Sequence, residues 1–241
     1  LIFMIIATNV NKSFARLKAL DNVSLICNKG QSISLIGPNG SGKTTFIKCL
    51  LGMVVPDNGF ITFNDKNISH DWAYREQIGY MPQTGRFPDN MRIAQVFEMM
   101  KDLRNGSASR LDEDLISAFG LNKMLDKRMR TLSGGTRQKV GASLAFLFNP
   151  DVLILDEPTA GLDPVSSEIL KEKINSEKQK GKLILITSHI LSDLEDITTE
   201  IIYLEEGKLI FHKSLQQLKE DTGEEKLTRA IAQVMKTHLL P

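Results

Sequence analysis

Gly37-Pro38-Asn39-Gly40-Ser41-Gly42-Lys43-Thr44 is the stretch whose reading decides the fold. It fits the pattern G-x-x-x-x-G-K-[ST], in which glycines let the backbone wrap so that successive N–H groups point at one anion. The context agrees with the pattern. Ser32-Ile33-Ser34-Leu35-Ile36 before it is a short β-rich apolar run, and Thr45-Phe46-Ile47-Lys48-Cys49-Leu50-Leu51 after it reads as the first turns of a helix. A strand, a tight glycine loop and a helix N-terminus together make a phosphate cradle, with the positive end of the helix dipole aimed at the ligand. Lys43 then reaches the β- and γ-phosphates, and the Thr44 hydroxyl is placed to ligate Mg²⁺.

Bulk properties bound what surrounds this loop. The chain has 241 residues and is 41% hydrophobic, enough for one substantial core. A net charge of +1 gives no strong field for nucleic acid or an anionic membrane surface. Cys27 and Cys49 show no metal-ligand spacing and no disulfide framework, so a cytoplasmic setting is expected. The apolar run Leu1–Ile6 is far short of the roughly 20 residues that span a bilayer and reads as a buried strand.

The chain is read as one α/β domain, 1–241. Residues 1–84 and 131–215 form the catalytic core, including an antiparallel β part. From 85 to 130 β-rich runs give way to helical spacing, in Arg92–Met100 and again in Leu111–Phe119, which predicts a helical subdomain. Alternation then resumes: helix over Arg137–Phe148, buried parallel strand over Asp151–Leu155, a helix with an exposed face over Ser166–Lys180, and a second buried strand over Leu183–Thr187. Short strands are expected at Glu200–Leu204 and Lys208–Phe211, and 216–241 reads as a charged, helix-compatible tail.

Val152-Leu153-Ile154-Leu155-Asp156-Glu157 supplies the second half of a nucleotide site. Open α/β sheets bind ligands at the carboxyl ends of their strands. A carboxylate there, downstream of a phosphate loop, takes up Mg²⁺, and a second one polarises the attacking water. Asp156 is assigned the metal shell and Glu157 the general base.

At Leu132-Ser133-Gly134-Gly135-Thr136 the pattern becomes specific. It resembles the signature motif of ATP-binding-cassette ATPases, usually Leu-Ser-Gly-Gly-Gln, and the family's other motifs follow in the family's order. Phe14 sits where the family has an aromatic that stacks on adenine. Gln83, in Gly79-Tyr80-Met81-Pro82-Gln83, matches the glutamine that contacts Mg²⁺ and water. Ala160-Gly161-Leu162-Asp163 matches the D-loop, and His189, after Thr187-Ser188, matches the switch histidine. The resemblance spans about 4–215. It implies a phosphate-loop NTPase core with a mostly parallel sheet, a small antiparallel β subdomain and a helical subdomain.

It also implies a site. ATP is held by Phe14, Gly37, Pro38, Asn39, Gly40, Ser41, Gly42, Lys43, Thr44, Thr45 and Gln83, with Ser133, Gly134, Gly135 and Asp163 contributing; Mg²⁺ by Thr44, Gln83 and Asp156; catalysis by Lys43, Glu157 and His189. One departure stands out. The fifth signature residue is Thr136 instead of glutamine, and Gln138, two residues on, is the candidate to compensate.

With one phosphate loop and one signature, the chain resembles half of a head-to-tail dimer. Its partner is a second copy or a paralogous ATPase subunit, with two ATP molecules between them. The resemblance further implies an integral-membrane permease, on whose inner face the subunit sits, and no nucleic acid. Export is the expected direction. The run from Ile78 to Asn90 is similar to the cassettes of copper-enzyme maturation transporters. The alternative is a cassette ATPase regulating a ribosome or DNA process, but such proteins usually carry two cassettes or a long coiled-coil insertion, neither of which is found. A GTPase would need a guanine-reading Asn-Lys-x-Asp, which does not occur.

Overall fold

The computed structural model describes residues 3–104, 111–189 and 191–239. Leu1 and Ile2 of the apolar N-terminal run, and 105–110 within the expected helical insert, lie outside the described residues. In chain order the elements are β1 (Phe3–Phe14), β2 (Leu17–Asn28), β3 (Ser32–Ile36), α1 (Lys43–Leu50), β4 (Asn58–Phe63), β5 (Lys66–Asn67), β6 (Ile78–Met81), α2 (Ile93–Leu103), α3 (Asp114–Ala118), α4 (Gly134–Phe146), β7 (Val152–Asp156), α5 (Pro164–Gln179), β8 (Leu183–Thr187), α6 (Leu191–Leu194), β9 (Glu200–Glu205), β10 (Lys208–Ser214), α7 (Leu215–Thr222) and α8 (Leu227–Leu239).

Two sheets carry the fold. The larger has the order β10-β9-β3-β8-β7-β6, parallel throughout except for the antiparallel β9–β10 edge pair. The smaller, β2-β1-β4-β5, is antiparallel. Strands β3, β7 and β8 are buried along their whole length, as near-continuous apolar runs require in a sheet covered on both faces. Successive side chains alternate between the two faces. Val152, Ile154, Leu183, Leu185, Ile202 and Leu204 pack with α1 and the antiparallel sheet. Leu153, Leu155, Ile184, Ile186, Ile201 and Tyr203 pack with α2, α3, α4 and the C-terminal helices.

Element boundaries differ from the sequence expectation in places. Within Leu111–Phe119 only Asp114–Ala118 is α-helical, because Asp112 bends the chain in, its N–H donating to the Leu147 carbonyl at 2.8 Å. Helix α4 spans Gly134–Phe146, starting before the expected Arg137. Ser133 is its N-cap, accepting from the Thr136 N–H, so two glycines with poor helix propensity form its first turn. The charged, helix-compatible tail is helical over Leu215–Thr222 and Leu227–Leu239, and it docks on the core. Leu218, Leu227, Ala230 and Ile231 are buried in the same core as the sheet.

The largest surprise is on α5. Its buried stripe is Ser166, Leu170, Lys173, Ile174 and Glu177, so two charged residues lie on the face that helical periodicity assigns to the core. Lys173 Nζ bonds Asp112 at 2.6 Å and Asp114 at 2.8 Å, latching the start of α3 to α5. Glu177 has a fully buried side chain, paired with Lys173 at 3.3 Å, Lys180 at 2.6 Å, and Lys182. Burial pushes the Glu177 carboxyl up. The hydrogen bonds and charges of Lys180, Lys182 and Lys173 outweigh it and hold the pKa at about 2.

A depressed carboxyl pKa contributes stability above the ordinary value of 4.5, and that contribution is lost as pH falls toward 2. Glu177→Gln is expected to destabilise the protein by about 3 kcal/mol, because it removes the carboxylate that pairs with the buried Lys182 and one of those that pair with the buried Lys173. Urea unfolding at neutral pH measures the loss. The gap to wild type should shrink as the pH is lowered from 4.5 toward 2, because the unfolded wild-type chain takes up the Glu177 proton near 4.5 while the folded one holds it off until about 2.

Candidate functional site

Four parallel strands end on one edge of the large sheet, and each is followed by a residue singled out in the sequence. β3 runs into the phosphate loop, β6 into Gln83, β7 ends on Asp156 and runs into Glu157, and β8 runs toward His189. Asp156 and Thr187 are direct neighbours across β7 and β8. The cavity they border has a volume of about 380 Å³, and its lining includes Phe14, Lys43, Thr44, Gln83, Asp156, Glu157 and His189. The topology therefore gathers side chains separated by up to 175 positions at the carboxyl edge where such sheets bind ligands.

The loop geometry follows from its glycines. Gly37 has φ +148°, and a Cβ there would sit 2.0 Å from the Leu204 carbonyl oxygen. Gly42 has φ +103°, and a Cβ there would meet the Ala19 carbonyl at 2.5 Å. Both positions exclude other residues on two grounds, conformation and space. Gly42 is the N-cap of α1 and offers no side chain, so no cap satisfies the first N–H groups of the helix. Lys43 is buried, and its Nζ donates to the carbonyls of Gly37 at 2.7 Å and Pro38 at 3.0 Å. Burial lowers its pKa, while the nearby carboxylates of Glu157 and Asp156 act to raise it.

Glu157 is the most constrained residue of the site. Its φ is +53°, a left-handed value rare for a residue with a side chain. Its N–H donates to Thr187, 3.1 Å from both the carbonyl oxygen and Oγ1. The carboxylate lies against His189: Oε2 accepts from the His189 N–H at 3.2 Å, and Oε1 is 3.3 Å from Nε2. Thr187 Oγ1 also donates to Asp156 Oδ1, so one hydroxyl bridges both acidic residues. No sequence pattern singled out Thr187; its position opposite Asp156 in the sheet is what gives it this place.

At the other end of the cavity Phe14 is 47% exposed beside Leu17 and Ala19, at the tip of the β1–β2 hairpin. The Lys12 ammonium stands 5.6 Å from the ring centroid. Leu17 and Ala19 escaped the sequence reading because isolated apolar residues carry no motif. Asn39, Gly40, Ser41, Gly42 and Thr45 also line the cavity, whereas Gly37 and Pro38 face Lys43 through their carbonyls.

Ser133, Gly134, Gly135 and Asp163 are not among the residues lining this cavity. Ser133 and Gly134 are exposed at the start of α4. Gly135 packs against the D-loop, where a Cβ would lie 2.7 Å from the Gly161 carbonyl. Asp163 is engaged within its own chain: it caps α5 through the Ser166 N–H at 2.9 Å and the Ser166 hydroxyl at 2.7 Å, and pairs with Lys139 at 2.9 Å. The Ser166 bonds, then the Lys139 bond, hold its carboxyl well below the usual range. Gln138 does not stand in for the missing signature glutamine. It is buried, and its Nε2 donates to the Glu157 carbonyl at 3.2 Å.

Comparisons with known proteins agree on one family. Residues 20–160 match the family model described as ABC transporter. The chain is 34% identical over 207 residues to the lantibiotic transport ATP-binding protein SrtF of Streptococcus pyogenes, covering 85% of this chain and 88% of that one. It is 33% identical over 223 residues to the lipopolysaccharide export system ATP-binding protein LptB of Haemophilus influenzae, covering 89% and 92%. A solved ATP-binding subunit of an ABC transporter shares the fold with a TM-score of 0.88 at 27% identity, covering 96% of this chain and 99% of that one.

Proposed function

We infer the function from the premise that the chain belongs to the ABC transporter family, as an ATP-binding, ATP-hydrolysing subunit. We propose that it works as one half of a head-to-tail dimer that drives a membrane permease. One observation carries this reading. The phosphate loop, Gln83, Asp156, Glu157 and His189 converge on one cavity, while the signature residues 133–135 do not line it. A site split in this way is completed by the signature of a second chain.

Phe14 then stacks on the adenine ring. The loop N–H groups and Lys43 take the phosphates. Glu157 accepts the proton of the attacking water, and His189, beside it, contacts the γ-phosphate. The donors expected to hold Mg²⁺ fit that ion. The Thr44 hydroxyl, the Gln83 amide oxygen and the Asp156 carboxylate are all hard oxygen ligands lining one cavity. Three protein donors leave room for water and phosphate oxygens, as Mg²⁺ prefers. The ion neutralises phosphate charge when bound.

Loss of the γ-phosphate contacts after hydrolysis opens the dimer. The permease receives that motion through the helical segment between Gln83 and Ser133. A groove of about 310 Å³ lined by Tyr80, Arg86, Phe87, Met100, Arg104 and Phe148 is its seat. No described helix is long and apolar enough to cross a membrane. The export role named for the lipopolysaccharide relative favours export.

A mixing experiment tests the split site. Gly134 has nothing within 4 Å of an added Cβ, so Gly134→Asp places a carboxylate in the signature without disturbing its own chain, which Gly135→Asp would not. Chains carrying Lys43→Ala and chains carrying Gly134→Asp, all with Glu157→Gln to stop turnover, should each fail to self-associate. Mixed, they form one intact site and should associate in Mg-ATP, read by pull-down of one tagged variant with the other. If ATP adds nothing to that association, the loop and the signature do not meet across chains.

A further inference from the structure

The helix that carries the signature also grips the residue assigned as catalytic base. Gln138 lies on α4 one turn beyond the signature glycines, with its side chain turned inward and 8% exposed. Its Nε2 donates at 3.2 Å to the main-chain oxygen of Glu157. That same oxygen accepts the Ala160 N–H at 3.1 Å, and the Glu157 N–H is held by Thr187 at 3.1 Å. The peptide units on both sides of a left-handed residue are thus fixed. A left-handed non-glycine residue persists only where its surroundings over-determine it. Ala160 belongs to the turn that follows Glu157 and Thr187 to the neighbouring strand β8, whereas Gln138 is the constraint that comes from the signature helix α4.

The next residue on α4 repeats the arrangement: Lys139 Nζ pairs with Asp163 at 2.9 Å, at the far end of the same loop. Gly135 lies against Gly161 with no room for a side chain. The start of α4 is therefore joined to the 157–163 loop at three points, and Gln138 is the one that touches Glu157.

We propose that Gln138 is a positioning residue for Glu157, setting the direction of its carboxylate through the main-chain oxygen and tying that direction to the signature end of α4. The proposal rests on Glu157 being the base, and the experiment separates the two. Gln138→Met keeps the volume and removes the donor; Gln138→Glu keeps polarity and length and also removes the donor, so the measurement survives if one variant folds poorly. Both are expected to lower kcat on the order of tenfold to a hundredfold, as a small misplacement of a catalytic group does. Mg-ATP affinity, read by equilibrium binding of a fluorescent ATP analogue, should stay within about twofold, a split that general loosening of the fold would not give.

The second reading is a double-mutant cycle. In a Glu157→Gln background the same substitution should change residual turnover by less than about twofold, because the group it positions is already disabled. Near-wild-type kcat in both Gln138 variants, alongside an inactive Glu157→Gln, overturns the proposal alone. A loss that persists in full in the Glu157→Gln background overturns it too, since Gln138 then acts elsewhere. If Glu157→Gln itself retains wild-type turnover, the base assignment falls and takes the proposal with it.

Discussion

Glu157→Gln is expected to reduce ATP turnover by about two to four orders of magnitude while leaving ATP binding intact, the range spanned by loss of a general base. The amide keeps the shape and the acceptor that receives the His189 N–H, a bond of 3.2 Å in the wild-type chain. What disappears is the ability to take a proton. The main chain at 157 is held by Thr187 and Gln138 and does not depend on the carboxylate, so the left-handed turn survives the change. The variant should therefore accumulate as an ATP-bound dimer, visible by size-exclusion chromatography in Mg-ATP. A monomeric elution with normal ATP binding would count against the dimer. Turnover above about a tenth of wild type would count against the base.

Lys43→Ala is expected to lower turnover at least a hundredfold, and to weaken ATP binding as well. Its ammonium is buried, donates to the Gly37 and Pro38 carbonyls, and stands close enough to Glu157 and Asp156 to feel both charges. Burial works against that charge, and the two carboxylates act to restore it. An ammonium kept charged in a partly desolvated site is an electrostatic group preorganised for phosphate. Removing such a group costs about 3 kcal/mol of transition-state stabilisation. Unlike Glu157→Gln, this change also deprives the loop carbonyls of their donor, so binding and chemistry fall together. Calorimetric titration with ATP and a steady-state phosphate-release assay measure the two effects. A variant with more than half of wild-type turnover refutes the assignment.

What the sequence made legible was whatever the backbone or the chemistry demands at fixed spacing. The phosphate loop is readable because Gly37 and Gly42 occupy conformations and spaces no other residue fits. The strand ending in Asp156 is readable because a fully buried parallel strand has to be a continuous apolar run. Other features were hidden for physical reasons. Glycines at 134 and 135 mask the start of α4, since helix propensity there is poor and a side-chain cap from Ser133 overrides it. Lys173 and Glu177 count as polar in any periodicity, yet mutual pairing lets them be buried. Gln138 looks like an interface residue by its distance from Thr136, but helical geometry turns it toward the core. The C-terminal helices bury few apolar positions amid many charged ones, so their docking left little trace in the sequence.

The left-handed backbone at Glu157 carries a consequence for how such a chain would age under relaxed selection. A residue with a side chain costs on the order of 1 kcal/mol in that conformation, and glycine or asparagine costs less. On the proposed assignment of Glu157 as the base, position 157 works against the fold in the service of chemistry. A lineage that came to need only nucleotide-dependent clamping would gain stability by surrendering the carboxylate first. Hydrolysis is the function this architecture is least protected from losing, and binding the one it would keep longest.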